Sequence, residues 1–213
     1  MPELQIIGGS ASNFVWVCRI ACAEKGVPYT HVGALPHSPE VDAIHPFGKI
    51  PVMRHGDVTL CESRAICLYI DRAFAGPPLL PTDAAAAAGI EQWVSIVCTT
   101  IDPLWVRRYL GAYIVPGTPD KSPNRAAIDA VLPLMEPQFK VMDQKVARTG
   151  HVVGDSFTLA DAYLLPIVHY MGKFPESAEL LRRFDNLGAF YERHIKRKSV
   201  ADAVPTEMPG PRR

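Results

Sequence analysis

The sequence has no excess of charge of either sign, because its 213 residues carry 22 Lys and Arg against 22 Asp and Glu. A chain without net charge has no overall field to attract a phosphate backbone or an anionic bilayer. These numbers argue against nucleic-acid binding and against membrane-surface binding. Hydrophobic residues make up 48% and charged residues 21%, an ordinary globular mixture, so the chain is expected to fold by itself.

Long apolar runs are also absent. The longest uncharged apolar stretches, 73–81 and 110–117, are about half a bilayer span and contain Gly and Pro, so no transmembrane helix is expected. The first residues lack the basic leader and apolar run of a signal peptide. Five cysteines without a CxxC pair favour free thiols in a reducing compartment. The sequence therefore predicts a cytoplasmic protein.

The first third of the chain has the pattern of alternating strands and helices. Gly56-Asp57 joins two apolar, β-rich runs and is typical of a two-residue hairpin loop. Gly26 and Pro28 are expected to end the first helix. The predicted elements are a strand at 4–7, a helix at 13–25, a strand at 29–35, strands at 51–55 and 58–61, and a helix from 62 to 70. The order is β-α-β, a connecting segment, then β-β-α.

The remainder of the chain has a helical texture. Residues 76–84 form a proline-rich linker, the Ala-rich run 84–88 opens a long helical pattern, and no convincing strand follows. Thr158 and Asp161 have the spacing of a capping box. Four prolines are expected to kink or interrupt helices: Pro103, Pro133, Pro137 and Pro166. The predicted domains are 1–75, α/β, and 85–203, all helical, with a loose tail at 204–213.

Three stretches carry a specific resemblance. The runs 45–52 (HPFGKIPV) and 60–66 (LCESRAI), with the Gly56-Asp57 hairpin between them, resemble the glutathione-binding region of the cytosolic glutathione transferase family. Residues 154–162 (GDSFTLADA) resemble the capping segment in the helical half of the same family. The resemblance covers roughly residues 3–200 and is strongest to the serine-type classes, such as phi and zeta. It implies a thioredoxin-like amino-terminal domain followed by an all-α domain.

The resemblance implies residues for binding glutathione as a co-substrate. Pro51 matches a cis proline, which makes Ile50 a backbone ligand of the cysteinyl unit; the alternative is a plain edge-strand proline. Ser63 would bind the γ-glutamyl carboxylate and Glu62 would lie near the γ-glutamyl ammonium group, unless both are merely first-turn capping residues.

Two further residues match positions that carry polar or basic groups for the glycine carboxylate and the backbone of glutathione. They are Lys49 and His37. A solvated surface histidine is nearly as good an interpretation of His37.

The resemblance also implies a thiolate-stabilising hydroxyl. Ser12 matches the catalytic serine of the serine-type classes, with Ser10 and Asn13 as substitutes if the loop is shifted, while a plain helix cap is the alternative. No cysteine occurs between Gly8 and Trp16, which disfavours thiol–disulfide exchange. Ser12-Asn13-Phe14 departs from the Ser-Ser-Cys run of zeta-class isomerases, so maleylacetoacetate isomerisation is doubtful.

The acceptor substrate is expected in a pocket between the domains, to which the helical half contributes. The candidate lining residues recur at helical spacing and are Trp105, Arg108, Tyr109 and Tyr113. Aromatic residues at such a spacing more often belong to the core. Cys18 and Cys22, four apart, are expected to be buried thiols, and no metal is expected. Phe47 resembles a residue that plugs the partner subunit of a homodimer.

These features predict a homodimeric glutathione transferase that conjugates the glutathione thiolate to small hydrophobic electrophiles. One alternative is a catalytically silent relative that binds glutathione, hydrophobic ligands or a partner protein. The other is a glutathione-dependent isomerase, dehalogenase or peroxidase, because one activated thiolate serves all of these reactions.

Overall fold

The computed structural model describes residues 2–206. These residues form two compact units. One runs to Pro81 and also takes in the segment that begins at Arg197, and the other is Thr82–Lys196. The last seven residues of the predicted tail, 207–213, lie outside the described residues.

The first unit is an α/β layer with the predicted order of elements. A four-stranded sheet has the order β2-β1-β3-β4, in which β1 and β2 are parallel and the other neighbours are antiparallel. Its elements are β1 (Leu4–Ile7), α1 (Asn13–Glu24), β2 (Thr30–Val32), α2 (Pro39–Asp42), β3 (Val52–His55), β4 (Val58–Cys61) and α3 (Ser63–Ala73). The structure adds the short α2, which the sequence left as an unassigned segment, and shortens β2. The fold is thioredoxin-like, as expected.

Helix α1 begins and ends where its local signals place it. Ser12 is its N-cap, and Gly26 adopts the left-handed φ of 65° directly after the C-terminal turn. The helix presents little surface to solvent, because eight of its twelve residues are buried. The buried thiols of Cys18 and Cys22 lie on it, as the sequence predicted.

The second unit is helical, and its described residues, 82–196, form no strand. It contains α4 (Ala84–Ile96), a π-helical stretch (Val97–Leu110), α5 (Gly111–Ile114), α6 (Arg125–Val146), α7 (Leu159–Met171), α8 (Pro175–Leu181) and α9 (Asp185–His194). The short α10 (Lys198–Ala201) belongs to the first unit.

The prolines of α6 and α7 do not interrupt their helices, although interruption was one of the two outcomes expected of them. Helix α6 continues through Pro133 and Pro137, and α7 continues through Pro166. Each proline removes one backbone hydrogen bond, and the buried face of the helix compensates by packing. Pro103 lies in the π-helical stretch, where the hydrogen-bond pattern departs from that of an α-helix.

One continuous helical segment, Ala84–Ile114, is long and apolar enough to cross a membrane by length and composition. The runs 73–81 and 110–117, taken separately, predict no such segment, because each is too short. Only 22% of the apolar 18-residue window of this segment is buried, although the segment includes the buried residues Leu104, Trp105 and Tyr109.

The predicted capping box opens α7. Thr158 is the N-cap, and its side chain and that of Asp161 bond reciprocally to backbone N–H groups. The Asp161 carboxylate also accepts from the Val152 N–H at 2.7 Å, and the residue is completely buried. This carboxylate thus fixes both the start of α7 and the loop before it.

The carboxyl-terminal segment differs from the sequence expectation, which assigned residues as far as 203 to the helical domain. Arg197 forms a two-pronged ion pair with Glu24 of α1, at 2.9 and 2.8 Å, and Ser199 hydrogen-bonds the same carboxylate. These contacts attach the segment to the first unit.

Candidate functional site

Ser12 lies at the amino-terminal end of α1. Its backbone is extended, with φ −73° and ψ 124°, and its half-buried Oγ accepts a hydrogen bond from the Val15 N–H at 3.4 Å. Capping of this kind uses an oxygen lone pair and leaves the hydroxyl proton available for another acceptor. Ser12 therefore caps the helix and also presents a donor where the helix dipole favours negative charge.

The two substitute donors lie on either side of Ser12. Ser10 is half-buried in the turn after β1, whereas Asn13 is 4% exposed and takes part in other contacts of the protein. Burial of Asn13 leaves it little surface for a ligand. Ser12 is thus better placed than Asn13 to meet a sulfur atom.

Gly8 brings the Ser12 loop next to Ile50. It has a φ of +148°, and a Cβ added to it would lie 2.6 Å from Val15 Cγ2 and 3.0 Å from Ile50 Cβ. Only a glycine fits there without displacing one of these neighbours. The Gly8 peptide is also anchored to β2, because its N–H donates to the Val32 carbonyl at 2.9 Å and its carbonyl lies 2.9 Å from His31 Nε2.

Burial lowers the pKa of His31 and opposes its protonation, although the bond to Gly8 acts in the other direction. The uncharged ring with its proton on Nε2 satisfies this hydrogen bond. His31 and Gly8 together fix the point at which the Ser12 loop leaves the sheet. Sequence reasoning assigned a role to neither residue, since the contact joins residues 23 positions apart.

Ile50 keeps free backbone groups next to the Ser12 loop. The Ile50–Pro51 peptide is cis, as the resemblance implied. Among residues 2–206, neither the N–H nor the C=O of Ile50 has a hydrogen-bond partner. A half-buried residue with both groups unpaired is suited to pair with an extended peptide.

Glu62 and Ser63 form the junction of β4 and α3. Glu62 has the left-handed φ of 68°, a conformation that costs free energy for a residue other than glycine and is often found at functional sites. Ser63 is the first residue of α3 and is buried. The Glu62 side chain does not cap this helix terminus, and the amino-terminal end of a helix dipole favours an anion.

The Glu62 carboxylate contacts a buried histidine. The Glu62 side chain is 69% exposed, and its Oε1 lies 3.4 Å from Nε2 of His45, whose side chain is 3% exposed. His45 is part of the motif that carries the resemblance, but its sequence position gave no indication of this contact.

His37 and Lys49 lie on the exposed side of the same loop. His37 donates its backbone N–H to the Gly48 carbonyl at 2.9 Å, and its Nδ1 is 3.5 Å from Asp42 Oδ1. Gly48 needs its φ of +59°, and a Cβ there would lie 2.1 Å from the His37 ring. The loop therefore brings His37 next to Lys49, and both side chains are exposed.

The predicted lining of the acceptor pocket is only partly available. Trp105 and Tyr109 are completely buried in the helical unit, where Trp105 stacks on Phe139 at a centroid distance of 4.0 Å. Neither residue lies on a pocket surface, contrary to the sequence prediction, because a helical spacing identifies a face but not what covers it. Arg108 is exposed and Tyr113 is half-buried.

Glu176 is the hydrogen-bond acceptor for the hydroxyls of Tyr109 and Tyr113. Its carboxylate accepts from Tyr109 at 3.0 Å, from Tyr113, and from Arg125 at 2.5 Å. Although burial opposes it, hydrogen bonds from Tyr113 and Arg125 lower the pKa of Glu176 to about 2. Burial raises the pKa of Tyr109. The network is complete within the helical unit.

Two groups have ligand types suited to a metal. Ligand atoms of His151, Asp161 and His194 lie within 4.8 Å of one another. Asp161 is already the α7 cap and accepts from the Val152 N–H, the Thr158 N–H and the Thr158 hydroxyl, so helix capping accounts for the carboxylate of this group but not for its two histidines. In the first unit, Cys18 Sγ lies 4.0 Å from Cys67 Sγ, and burial raises the pKa of Cys18.

The fold consists of a thioredoxin-like unit followed by a helical unit. In the thioredoxin-like unit, the Ser12 hydroxyl caps α1, and the backbone groups of Ile50 are available to an extended peptide. Residues 7–78 match the glutathione S-transferase N-terminal domain family and residues 108–198 match the C-terminal domain family.

Glutathione S-transferase 3 of Zea mays is 33% identical over 76% of this chain and 75% of its own length. Glutathione S-transferase Z1 of Arabidopsis thaliana is 29% identical over 90% of this chain and 86% of its own length. A glutathione S-transferase structure from Methylobacillus flagellatus KT, with GSH bound, superimposes with a TM-score of 0.81 at 25% identity, covering 96% of this chain and 100% of the other. The chain belongs to the glutathione S-transferase family.

Proposed function

We propose that this transferase conjugates glutathione to small hydrophobic electrophiles and that Ser12 stabilises the reacting thiolate. The observation that carries the assignment is the half-buried Ser12 Oγ at the α1 N-terminus, in the loop that Gly8 packs against Ile50. The glutathione thiol loses its proton to solvent, and the sulfur forms a bond to the electrophilic carbon by substitution or addition; in an addition reaction, the π electrons move to the neighbouring atom, which takes a proton from solvent. Any leaving group departs with the electrons of its bond.

The free energy required is within reach of these groups. If the thiol has the ordinary pKa of about 8.5 and the site lowers it by ~2, preferential stabilisation of the thiolate amounts to about 2.7 kcal/mol. A hydrogen bond to a charged group contributes about 1.5–3 kcal/mol. A helix N-terminus adds about 0.3–1 kcal/mol. Ser12 together with the end of α1 is therefore sufficient.

The remaining residues hold the peptide in this proposal. As the resemblance implies, the backbone of Ile50 pairs with the cysteinyl unit of glutathione. The Ser63 N–H and hydroxyl bind the γ-glutamyl carboxylate, and Glu62 binds the ammonium group. Lys49 and His37 face the glycine carboxylate. The GSH-bound structure of the Methylobacillus relative supports glutathione as the peptide.

The proposal extends to assembly and location. Phe47, which is 71% exposed, is proposed to plug the partner subunit of a homodimer. Five free thiols support a cytoplasmic location. Arg108 and Tyr113 remain the candidates for contact with the electrophile, since both keep solvent-exposed surface.

Replacing Ser12 by Ala tests the thiolate assignment. Removal of one transition-state hydrogen-bond donor is expected to lower kcat with a model aryl halide by about 10²–10³-fold, while the glutathione Kd stays within about threefold. The absorbance of bound thiolate at neutral pH should disappear with the activity. The matched control is Ser10→Ala, which removes the neighbouring hydroxyl and should retain turnover. Unchanged turnover in Ser12→Ala would refute the assignment.

A further inference from the structure

His45 is a buried polar residue with a fully fixed backbone. Its N–H donates to the Val41 carbonyl at 2.8 Å, and its carbonyl accepts from the Gly48 N–H at 3.0 Å. The residue is 3% exposed, so its ring nitrogens need partners within the protein. The position of the ring is therefore set by the loop that also carries Lys49 and Ile50.

The hydrogen bonds of the ring assign its tautomer. His45 Nδ1 accepts from the Phe47 N–H at 3.0 Å, so this nitrogen presents a lone pair and the ring proton lies on Nε2. Nε2 is 3.4 Å from Oε1 of Glu62. An uncharged ring in this tautomer can donate to the carboxylate without cancelling its negative charge.

Glu62 needs such a partner to act as a defined ligand. Its side chain is 69% exposed, and an exposed glutamate on its own samples several rotamers. The positive φ of 68° at Glu62 sets the direction in which its side chain leaves the backbone just before α3, but it does not set the orientation of the carboxylate. Contact of one oxygen with His45 leaves the second oxygen for a ligand.

We propose that His45 is a positioning residue that orients Glu62 for the γ-glutamyl ammonium group of glutathione. This inference rests on the proposed function, because Glu62 binds that group only if the peptide is glutathione bound as described above. The buried ring holds the carboxylate from the protein side, and the free oxygen meets the ammonium group. His45 thereby joins the 45–50 loop to the α3 terminus as one recognition surface.

The experiment compares glutathione with glutaryl-cysteinyl-glycine, which lacks only the ammonium group, by calorimetric titration of the full chain. The wild-type protein should prefer glutathione by about 30-fold, the range of one charge-assisted hydrogen bond. His45→Leu removes the donor and should reduce this preference by about tenfold, with the analogue Kd within twofold of wild type. His45→Gln keeps a donor and an acceptor and should restore most of the preference.

Glu62→Gln completes the design. It should abolish the preference, and adding His45→Leu to it should cause no further loss, because both variants act on one contact. The proposal would be overturned if His45→Leu weakened the binding of both peptides equally. It would also be overturned if His45→Leu and His45→Gln both kept the wild-type preference for glutathione. If the wild-type protein bound neither peptide, the proposed function itself would fail, which is a distinct result.

Discussion

The thioredoxin-like unit and the helical unit use their polar groups in opposite ways. In the first unit, the Ser12 hydroxyl keeps a proton to donate, and the Ile50 backbone has no partner among the described residues. In the helical unit, the Tyr109 hydroxyl and the Asp161 carboxylate are bonded to neighbours within the unit. The difference separates groups available to a ligand from groups that stabilise the fold. Substitutions of the ligand-facing groups in the first unit should change activity, and substitutions of Tyr109 and Asp161 in the second should change stability.

Asp161→Ala should have the largest effect on stability. The carboxylate is completely buried and accepts from two backbone N–H groups and the Thr158 hydroxyl. Leaving these donors unsatisfied should lower the free energy of unfolding by about 3 kcal/mol, measured by urea denaturation. The matched control, Asp155→Asn in the exposed part of the same loop, should leave the urea midpoint unchanged. An unaffected midpoint in Asp161→Ala would contradict the structural role.

Ser63→Ala should affect binding and leave stability nearly intact. Loss of a hydroxyl that donates to a carboxylate removes about 1.5–3 kcal/mol, which corresponds to a glutathione Kd roughly tenfold or more higher. Calorimetric titration measures the Kd, and a thermal melt measures stability. Ser63→Thr retains the hydroxyl and is the control. A Kd equal to that of the wild type would show that Ser63 is merely a first-turn residue.

Tyr109→Phe tests whether this tyrosine belongs to the core or to a pocket. The hydroxyl bonds Glu176 and the Ser177 N–H, both at 3.0 Å, so its loss should lower the free energy of unfolding by about 1–2 kcal/mol. The KM for a hydrophobic electrophile should stay within about twofold. The comparison variant is Arg108→Gln, at an exposed position of the same π-helical stretch. A changed electrophile preference in Tyr109→Phe would place Tyr109 at the pocket and break the comparison.

The pH dependence of stability should give the smallest effect when it is counted per pH unit, and it should come from the helical unit. Burial lowers the pKa of His169 to about 4, with Lys173 as a second cause. Between about pH 6.5 and 4 the unfolded chain binds a proton that the folded ring does not, so stability falls as the pH is lowered through this range.

His169→Gln should make this decline shallower by up to ~1.4 kcal/mol per pH unit, with urea denaturation at several pH values as the measurement. His37→Gln is the exposed control, since the His37 side chain is 72% exposed. A decline of the same steepness in His169→Gln would show that other groups dominate the titration.

Local signals predicted much of the fold. The Gly56-Asp57 turn, the Ser12 cap and the Thr158 capping box each depend on residues within a few positions of one another, and the structure has all three. The prolines of α6 do not interrupt the helix, because their tolerance depends on packing of the opposite face of the helix and not on local preference alone.

The candidate site was predicted unevenly for the same reason. Ile50, Glu62 and Ser63 lie in a contiguous motif, so a resemblance could indicate them. His45 and His31 act through contacts with residues far along the chain, Glu62 and Gly8, and no spacing reveals such contacts. The helical period correctly placed Trp105 and Tyr109 on related faces, but it did not say that other helices cover them.

The sequence by itself determined the family, the order of strands and helices, and the positions of the caps and turns, because these depend on short-range patterns of residue type. Tertiary structure decided which polar groups keep spare hydrogen-bonding capacity and which are consumed in the core. That outcome depends on distances between residues remote in the chain, such as the 3.4 Å between His45 and Glu62 and the 3.0 Å between Tyr109 and Glu176. Polar contacts and hydrogen bonds of this kind form only after packing has fixed the backbone.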